Sequence, residues 1–265
     1  MPRAMFLSSS CLLAISLTAC GGHNRMISLG DRRLSIDCEG NAGSTKATVV
    51  LIAGRGRPAT DWSKVEPAVS RFARVCSYDR AGIAKSDKAE SRIQSVDEIV
   101  NDLHKLLKAS GEKGPFLLVG HSIAGFYVRT FVTKFPGDVA GLVFVDSSHE
   151  EWALRLDQVD PSPTAHRLSQ GTARLGYFVK PGERLEWRTE LPLIVLARGK
   201  PLPRTTQMTE EQFAARDRVW RELQQDLAGR STHGEFRIAE QSGHSIQAEQ
   251  PGLVIQAIRD VYQKL

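Results

Sequence analysis

The chain has 265 residues, of which 41% are hydrophobic and 25% are charged, and its formal net charge is +5. This profile is typical of one ordinary globular domain, or of one domain with a small insertion. Because the sequence contains no long basic run and no nucleic-acid motif, we interpret the positive charge as part of a mixed, solvated surface and expect no nucleic-acid partner.

The N-terminus combines one cation, a short apolar stretch and small residues before Cys20. The apolar stretch is too short to span a bilayer comfortably, so we interpret residues 1–19 as an export signal. The sequence Leu-Thr-Ala-Cys at 17–20 resembles the lipobox of bacterial lipoproteins. This resemblance implies cleavage before Cys20, lipid on its sulfur and a tether over residues 20–25 that holds the protein at the membrane. An ordinary secretory signal is the alternative.

The residue after this cysteine is Gly21 rather than aspartate. In bacterial lipoproteins that choice points away from retention in the inner membrane. The resemblance therefore implies a cell-envelope protein, anchored at the periplasmic face of the outer membrane.

From Met26 onward, apolar runs of strand length alternate with segments of helical periodicity, which predicts a doubly wound, mostly parallel sheet of about eight strands. The first two strands form an antiparallel pair. The predicted strands are 26–29, 33–38, 47–53, 74–78, 116–119, 141–145, 193–197 and 235–239. The predicted helices are 62–72, 96–107, 123–134, 209–228 and 253–262.

A serine follows the fifth of these strands. Ser122 lies between the small residues Gly120 and Ala124, which leave room for a cramped turn that exposes its hydroxyl at the end of the sheet. The sequence Gly-His-Ser-Ile-Ala-Gly at 120–125 resembles the nucleophile elbow of the α/β-hydrolase superfamily. The usual glycine at the fifth position is Ala124 here, and a glycine follows it. The resemblance extends from about Leu29 to the last residue and implies an α/β-hydrolase domain over 26–265.

A serine nucleophile needs a base and an acid that orients the base. His244 lies between the last predicted strand and the last helix, as in the final Gly-His loop of the family, and the resemblance implies that it is the base. His233 is the alternative base. His121 and His104 are interpreted as packing or surface residues.

The acid is assigned by the same resemblance. Many relatives carry it after the seventh strand, but here no carboxylate follows that strand before Glu210. Other members, including haloalkane dehalogenases and lipases, carry it at the end of the sixth strand, where this chain has Asp146. We therefore expect Asp146 to be the acid, with Glu150 and Glu151 as alternatives, unless Asp146 merely caps the next helix.

The family also provides main-chain donors for an oxyanion. These fall on Ile123, directly after the nucleophile, and on Arg55, in a loop where Ala53 replaces the usual histidine. The loop over 78–87 resembles a structural loop of the family, in which we expect Asp79 and Arg80 to pair and to hold the loops around the site.

Two further features follow from the family topology. The second and fourth strands should be neighbours, which implies a disulfide between Cys38 and Cys76, with two free thiols as the alternative. Residues 147–190 lack the rhythm of the sheet and are expected to form a short cap that covers Ser122, with Trp152 and Phe178 as possible lining residues.

The combined expectation is a serine hydrolase that acts on small or medium esters. The sequence contains no ligand cluster with metal spacing and no phosphate-binding glycine loop, so we expect no metal and no organic cofactor. Thioesterase, lactonase and amidase chemistry would use the same three residues. The alternative of another class is a non-catalytic envelope binding protein with this fold, because the His-Gly motif and the usual acid position are both altered.

Overall fold

The computed structural model describes residues 24–41, 43, 46–89, 94–160, 189–204 and 208–265. The predicted export signal, Cys20, Phe178 and most of the predicted cap lie outside the described residues. Within the described ranges, no helix is both long enough and apolar enough to cross a bilayer.

One sheet of eight strands forms the centre of the fold, in the order β1-β2-β4-β3-β5-β6-β7-β8. The first two strand pairs, β1 with β2 and β2 with β4, are antiparallel, and all the others are parallel. The prediction of a doubly wound, mostly parallel sheet is confirmed. The strands are β1 Arg25–Ser28, β2 Arg33–Glu39, β3 Thr48–Ile52, β4 Val75–Tyr78, β5 Phe116–His121, β6 Val139–Val145, β7 Leu193–Arg198 and β8 Gly234–Ala239.

Helices cover both faces of the sheet. One apolar core lies between the sheet and α2, α3 and α5, and a second lies between the opposite face and α1 and α7. This arrangement explains why β3, β5 and β7 are apolar along nearly their whole length. The helices are α1 Glu66–Val69, α2 Val96–Ala109, α3 Ala124–Lys134, α4 Trp152–Val159, α5 Glu210–Ala228, α6 Ile246–Glu249 and α7 Pro251–Gln263.

Two long helices begin at capping boxes that are visible in the sequence. Ser95 and Glu98 exchange side-chain and main-chain hydrogen bonds at the start of α2, and Thr209 and Gln212 do the same at α5. Each box satisfies main-chain N–H groups that have no partner within the helix.

The helix predicted over 62–72 is interrupted. The chain forms a 3₁₀ turn over Ala59–Trp62 and then only a short α1, which has Pro67 in its first turn. Proline has no N–H to donate to the preceding turn, so it is tolerated at the start of a helix but not inside one. Trp62, Val65 and Val69 are nevertheless buried against the sheet, as the apolar spacing predicted.

Cys38 of β2 lies directly opposite Cys76 of β4 in the antiparallel register. The two sulfur atoms are joined in a disulfide that closes a sequence separation of 38 residues. The bond therefore connects two neighbouring strands near one side of the sheet.

The register of the parallel strands determines where the site lies. Ile52 of β3, Gly120 of β5 and Phe144 of β6 are aligned across the sheet. The loops that leave these strands consequently emerge side by side at the carboxyl edge, the edge at which open α/β sheets bind their ligands.

Candidate active site

The turn between β5 and α3 holds Ser122 in a strained conformation. Its φ is +56°, a left-handed conformation that few residues other than glycine adopt. The turn is fixed by the neighbouring loop, because Ser122 donates its N–H to the carbonyl of Val145 at 3.1 Å and accepts at its own carbonyl from Ser148 at 2.8 Å. The surrounding hydrogen bonds thus maintain the strain.

The small residues of the elbow are required by close contacts. A Cβ on Gly120 would lie 2.8 Å from Cγ2 of Val128 and 3.0 Å from the carbonyl of Ala124. A Cβ on Gly125 would lie 2.7 Å from the Cβ of Ser147. The glycine after Ala124 therefore lets the loop that follows β6 pack against the elbow.

The loop after β8 brings His244 to the serine. Nε2 of His244 lies 3.0 Å from Oγ of Ser122, and Nδ1 lies 2.6 Å from Oδ2 of Asp146. Both distances are those of hydrogen bonds. The three side chains predicted from distant parts of the sequence thus form one connected chain.

Asp146 directly follows β6 and is fully buried. Its φ is +42°, so its backbone, like that of the serine, adopts the left-handed conformation. Oδ1 accepts a hydrogen bond from the indole Nε1 of Trp220 at 2.7 Å and another from the main-chain N–H of Arg198 at 3.1 Å. Oδ2 accepts from the guanidinium of Arg198 at 3.1 Å.

These partners keep Asp146 ionised. Burial on its own would raise the pKa of the carboxyl group, but the hydrogen bond from His244 and the positive charge of Arg198 outweigh it and hold the pKa below its usual value. The predicted site did not include Arg198 or Trp220, the two partners that hold Asp146.

His121, the residue before Ser122, is buried beside His244. Its Nε2 lies 2.9 Å from the main-chain carbonyl of His244, and the side-chain amide of Gln247 lies 3.2 Å from its Nδ1. Burial, followed by the nearby charge of His244, lowers the pKa of His121 to about 4. An uncharged ring that accepts at Nδ1 and donates at Nε2 fits both contacts. The expectation of a mere packing or surface residue was incomplete.

The predicted oxyanion loop lies against the elbow. A Cβ on Gly54 would lie 3.4 Å from the Cβ of Ser122, so the main chain at 54–55 passes close to this serine. Arg80 supports this loop through hydrogen bonds of 2.5 Å to the carbonyls of Ala53 and Gly54. The side chain of Arg55 is exposed.

The loop over 78–87 does hold its neighbours, but through a different contact from the predicted one. Asp79 accepts from the main-chain N–H of Ala59 at 2.7 Å, whereas Arg80 binds the loop at Gly54. Asp79 and Arg80 therefore each bind main-chain atoms of another loop and do not pair with each other.

The alternative base and acids occupy other places. His233 lies just before β8, at the amino ends of the parallel strands, whereas Ser122 lies at their carboxyl ends. Glu150 is buried in ion pairs with Arg129 at 3.3 Å and Arg230 at 2.7 Å. Glu151 immediately precedes α4.

Of the predicted cap, the structure describes residues 147–160 and 189–190, and α4 lies in the first of these ranges. Trp152, at its first turn, packs edge-on against Trp220 with ring centroids 4.9 Å apart. Trp152 therefore contacts the indole that binds Asp146.

Among the described residues, Cys38, Cys76 and Glu112 place potential metal-ligand atoms within 4.8 Å of one another. The two sulfur atoms are bonded to each other, so they are not thiolates.

Comparison with known proteins agrees with the fold. The profile of the alpha/beta hydrolase family matches residues 49–257, a range that includes Ser122, Asp146 and His244. YqjL, an uncharacterised protein of Bacillus subtilis, is 30% identical over 227 residues, which cover 83% of this chain and 85% of that protein. The chain belongs to the alpha/beta hydrolase family.

Solved structures show the same fold at lower identity. A thermophilic esterase from Thermogutta terrifontis is 19% identical, with a TM-score of 0.63 and coverage of 91% of this chain and 98% of that chain. Est816, described as an N-acyl homoserine lactone degrading enzyme, is 16% identical, with a TM-score of 0.63 and coverage of 89% and 99%.

Proposed function

We propose that the protein is a serine hydrolase that cleaves small or medium carboxylic esters through an acyl-enzyme on Ser122. The observation that carries the proposal is the connected chain of hydrogen bonds from Ser122 through His244 to the buried Asp146. A serine hydroxyl becomes nucleophilic when a positioned base removes its proton, and this chain provides the base and its orienting acid.

In the proposed reaction, Oγ of Ser122 attacks the ester carbonyl while Nε2 of His244 takes the proton. Asp146 stabilises the resulting imidazolium and holds its ring in place. The imidazolium then protonates the leaving alcohol, and a water molecule, activated by the same ring, releases the acid and restores the serine.

The oxyanion would be held by the main-chain N–H groups of Ile123 and Arg55. The strained turn at Ser122 and the close passage of Gly54 support this assignment. Such donors act on charge that develops in the transition state, and the loss of one typically costs about a hundredfold or more in rate.

Ester and lactone carbonyls are the preferred substrates among the reactions that this triad could perform. The structural neighbours described as an esterase and as a lactone-degrading enzyme favour this choice. Thioester and amide hydrolysis would use the same three side chains.

A fluorophosphonate probe tests the proposal, because it reacts covalently with activated serines. The wild-type protein should be labelled, and folded Ser122→Ala should not be labelled. A wild type that stays unlabelled would favour a non-catalytic binding protein. A series of p-nitrophenyl esters of rising chain length then measures the size of the acyl pocket.

We also propose that Cys20 carries lipid and that the protein is anchored at the periplasmic face of the outer membrane. The proposal is supported by the Leu-Thr-Ala-Cys sequence at 17–20 and by Gly21 after it. Metabolic labelling with a fatty acid should mark the wild type but not Cys20→Ala. Equal labelling of both proteins, or of neither, would contradict the anchor.

A further inference from the structure

The acid of the proposed triad is held together with a buried cation. Arg198, the last residue of β7, is 2% exposed and Asp146 is fully buried. One guanidinium nitrogen of Arg198 lies 3.1 Å from Oδ2 of Asp146, the oxygen that also binds His244. The base and the cation therefore share one carboxylate oxygen.

Two contacts from α5 fix the arginine in this place. Its guanidinium carbon lies 4.5 Å from the ring centroid of Trp220, at the distance of a cation–π contact. Another guanidinium nitrogen lies 3.9 Å from a carboxylate oxygen of Asp217. Because Asp217 is farther away than Asp146, the triad acid is the nearer counter-charge of the two.

We propose that Arg198 is a positioning residue that offsets the charge of Asp146 and thereby allows His244 to act as a base at lower pH. This inference rests on the proposed serine hydrolase function. Arg198 would act through the acid without touching the substrate.

The physical reason is electrostatic. An unpaired carboxylate beside an imidazole favours the protonated ring, which cannot accept the proton of the serine. A cation in contact with that carboxylate cancels part of its field at the ring. The carboxylate then favours the protonated ring less strongly before the reaction, and it also stabilises the imidazolium less strongly in the transition state.

Other charged and titratable groups face this pair. His121 packs from β5 and is uncharged in the neutral range, since burial lowers its pKa to about 4. Asp61, in the 3₁₀ turn, lies 3.8 Å from His121 and is paired with Arg57 at 2.5 Å. On α5, Asp217 is paired with Arg221 at 2.9 Å, and Arg216 donates to main-chain carbonyls. These groups are unchanged in the Arg198 variants, so a difference between those variants reports Arg198.

The experiment measures the rate of fluorophosphonate labelling of Ser122 from about pH 5 to pH 9 in four proteins. These are the wild type, Arg198→Gln, Arg198→Lys and Trp220→Phe. Glutamine removes the charge and keeps an N–H donor. Lysine keeps the charge and loses the planar fork. Phenylalanine removes the indole donor to Asp146 and keeps an aromatic ring beside Arg198.

We expect the midpoint of the acid limb to move up by about one pH unit in Arg198→Gln, because a charge within a few ångströms typically shifts a titration by that amount. In Arg198→Lys and Trp220→Phe the rate should fall, with the midpoint within about 0.3 unit of the wild type. A purely structural role would lower the rate of all three variants and leave every midpoint in place, which would overturn the proposal.

Arg198→Gln leaves a buried carboxylate with less compensation, so its folding is checked by thermal melting. If Arg198→Gln does not fold, Asp217→Asn takes its place in the experiment. This change removes the second carboxylate that lies near Arg198. The midpoint should then move down by a few tenths of a unit, and no movement would overturn the proposal. A wild type that is not labelled at all would instead refute the proposed function.

Discussion

Nε2 of His121 donates a hydrogen bond of 2.9 Å to the main-chain carbonyl of His244. The residue before Ser122 therefore holds the loop that carries His244. Since the serine and His121 are neighbours in the chain, one rigid turn fixes both ends of the Ser122–His244 contact. The two imidazole rings lie 4.8 Å apart.

We expect His121→Phe to lower the labelling rate by about tenfold, since one hydrogen bond contributes roughly 0.5–1.5 kcal/mol. His121→Gln can still donate to the carbonyl of His244 and should keep most of the rate. Fluorophosphonate kinetics at pH 8 make the comparison. Equal rates for the two variants would show that the hydrogen bond does not position His244.

Asp146 and Glu150 are two buried carboxylates that follow the same strand, and substitution separates their roles. Asp146→Asn should lower the labelling rate by about 10³–10⁴-fold, because an amide favours the wrong tautomer of the base. Glu150→Gln breaks ion pairs with Arg129 and Arg230. It should cost about 3 kcal/mol of stability and leave the labelling rate of the folded protein within about tenfold of the wild type.

Labelling kinetics and urea unfolding of both variants provide the measurements. The reverse pattern, in which Glu150→Gln abolishes labelling and Asp146→Asn does not, would assign the acid to Glu150.

The close passage of Gly54 predicts a local effect on the nucleophile. A Cβ at this position would lie 2.9 Å from Nδ1 of His121 and 3.4 Å from the Cβ of Ser122. We therefore expect Gly54→Ala to lower the ester hydrolysis rate by about 10–100-fold, because small displacements of reacting groups have effects of this order.

Gly137→Ala is the matched control, since a Cβ there meets nothing within 4 Å. It should hydrolyse p-nitrophenyl acetate at the wild-type rate. If Gly54→Ala did the same, the main chain at 54–55 would not constrain the site.

The disulfide should contribute to stability. Cys38→Ala/Cys76→Ala removes a cross-link that closes a separation of 38 residues. Loop-closure entropy then predicts a loss of about 3–4 kcal/mol in the free energy of unfolding, as measured by urea titration. Titration of thiols in denaturant, with and without reductant, checks the bond itself. Reduction should release two additional thiols, and an unchanged thiol count after reduction would contradict the bond.

The carboxyl group of Glu66 predicts a pH dependence. It accepts from the hydroxyl of Ser77 at 3.0 Å. Burial raises its pKa to about 8, the Ser77 hydrogen bond opposes this rise, and the charges of Asp37 and Glu39 add to it. In the unfolded chain it ionises near pH 4.5, so the folded protein binds the extra proton and loses stability as the pH rises from 4.5 to 8.

Glu66→Gln carries a neutral group at every pH. It should match the wild type at pH 5 and exceed its stability by about 2 kcal/mol at pH 9, less than the full shift implies because the carboxylate is partly solvated. Thermal melting at the two pH values measures this. Glu98→Gln is the control, because the Ser95 hydrogen bonds lower the pKa of Glu98 and its effect should not change between pH 5 and 9. A constant offset for Glu66→Gln would contradict the prediction.

The sequence predicted those features that depend on local patterns. Ser122, Asp146 and His244 were assigned through the family resemblance, and each lies in a loop directly after a strand, so that parallel topology brings them together. The partners of the acid, Arg198 and Trp220, could not be predicted in the same way. Their contacts depend on side-chain directions across three separate elements, and a single sequence does not contain those directions.

The failure at residues 62–72 has a different cause. The apolar spacing of Trp62, Val65 and Val69 was correct about burial but not about backbone conformation. Pro67 prevents a continuous helix, while the same side chains still reach the core. Periodicity therefore reported the buried face, and the proline determined the local geometry.

Trp220 is also a natural optical reporter. Its indole N–H donates a hydrogen bond to Asp146, its ring lies against Arg198, and Trp152 packs edge-on against it. Ultraviolet emission from this indole depends on the charges and rings around it, so a change in the contacts of Asp146 or Arg198 would register as a spectral change without any attached dye.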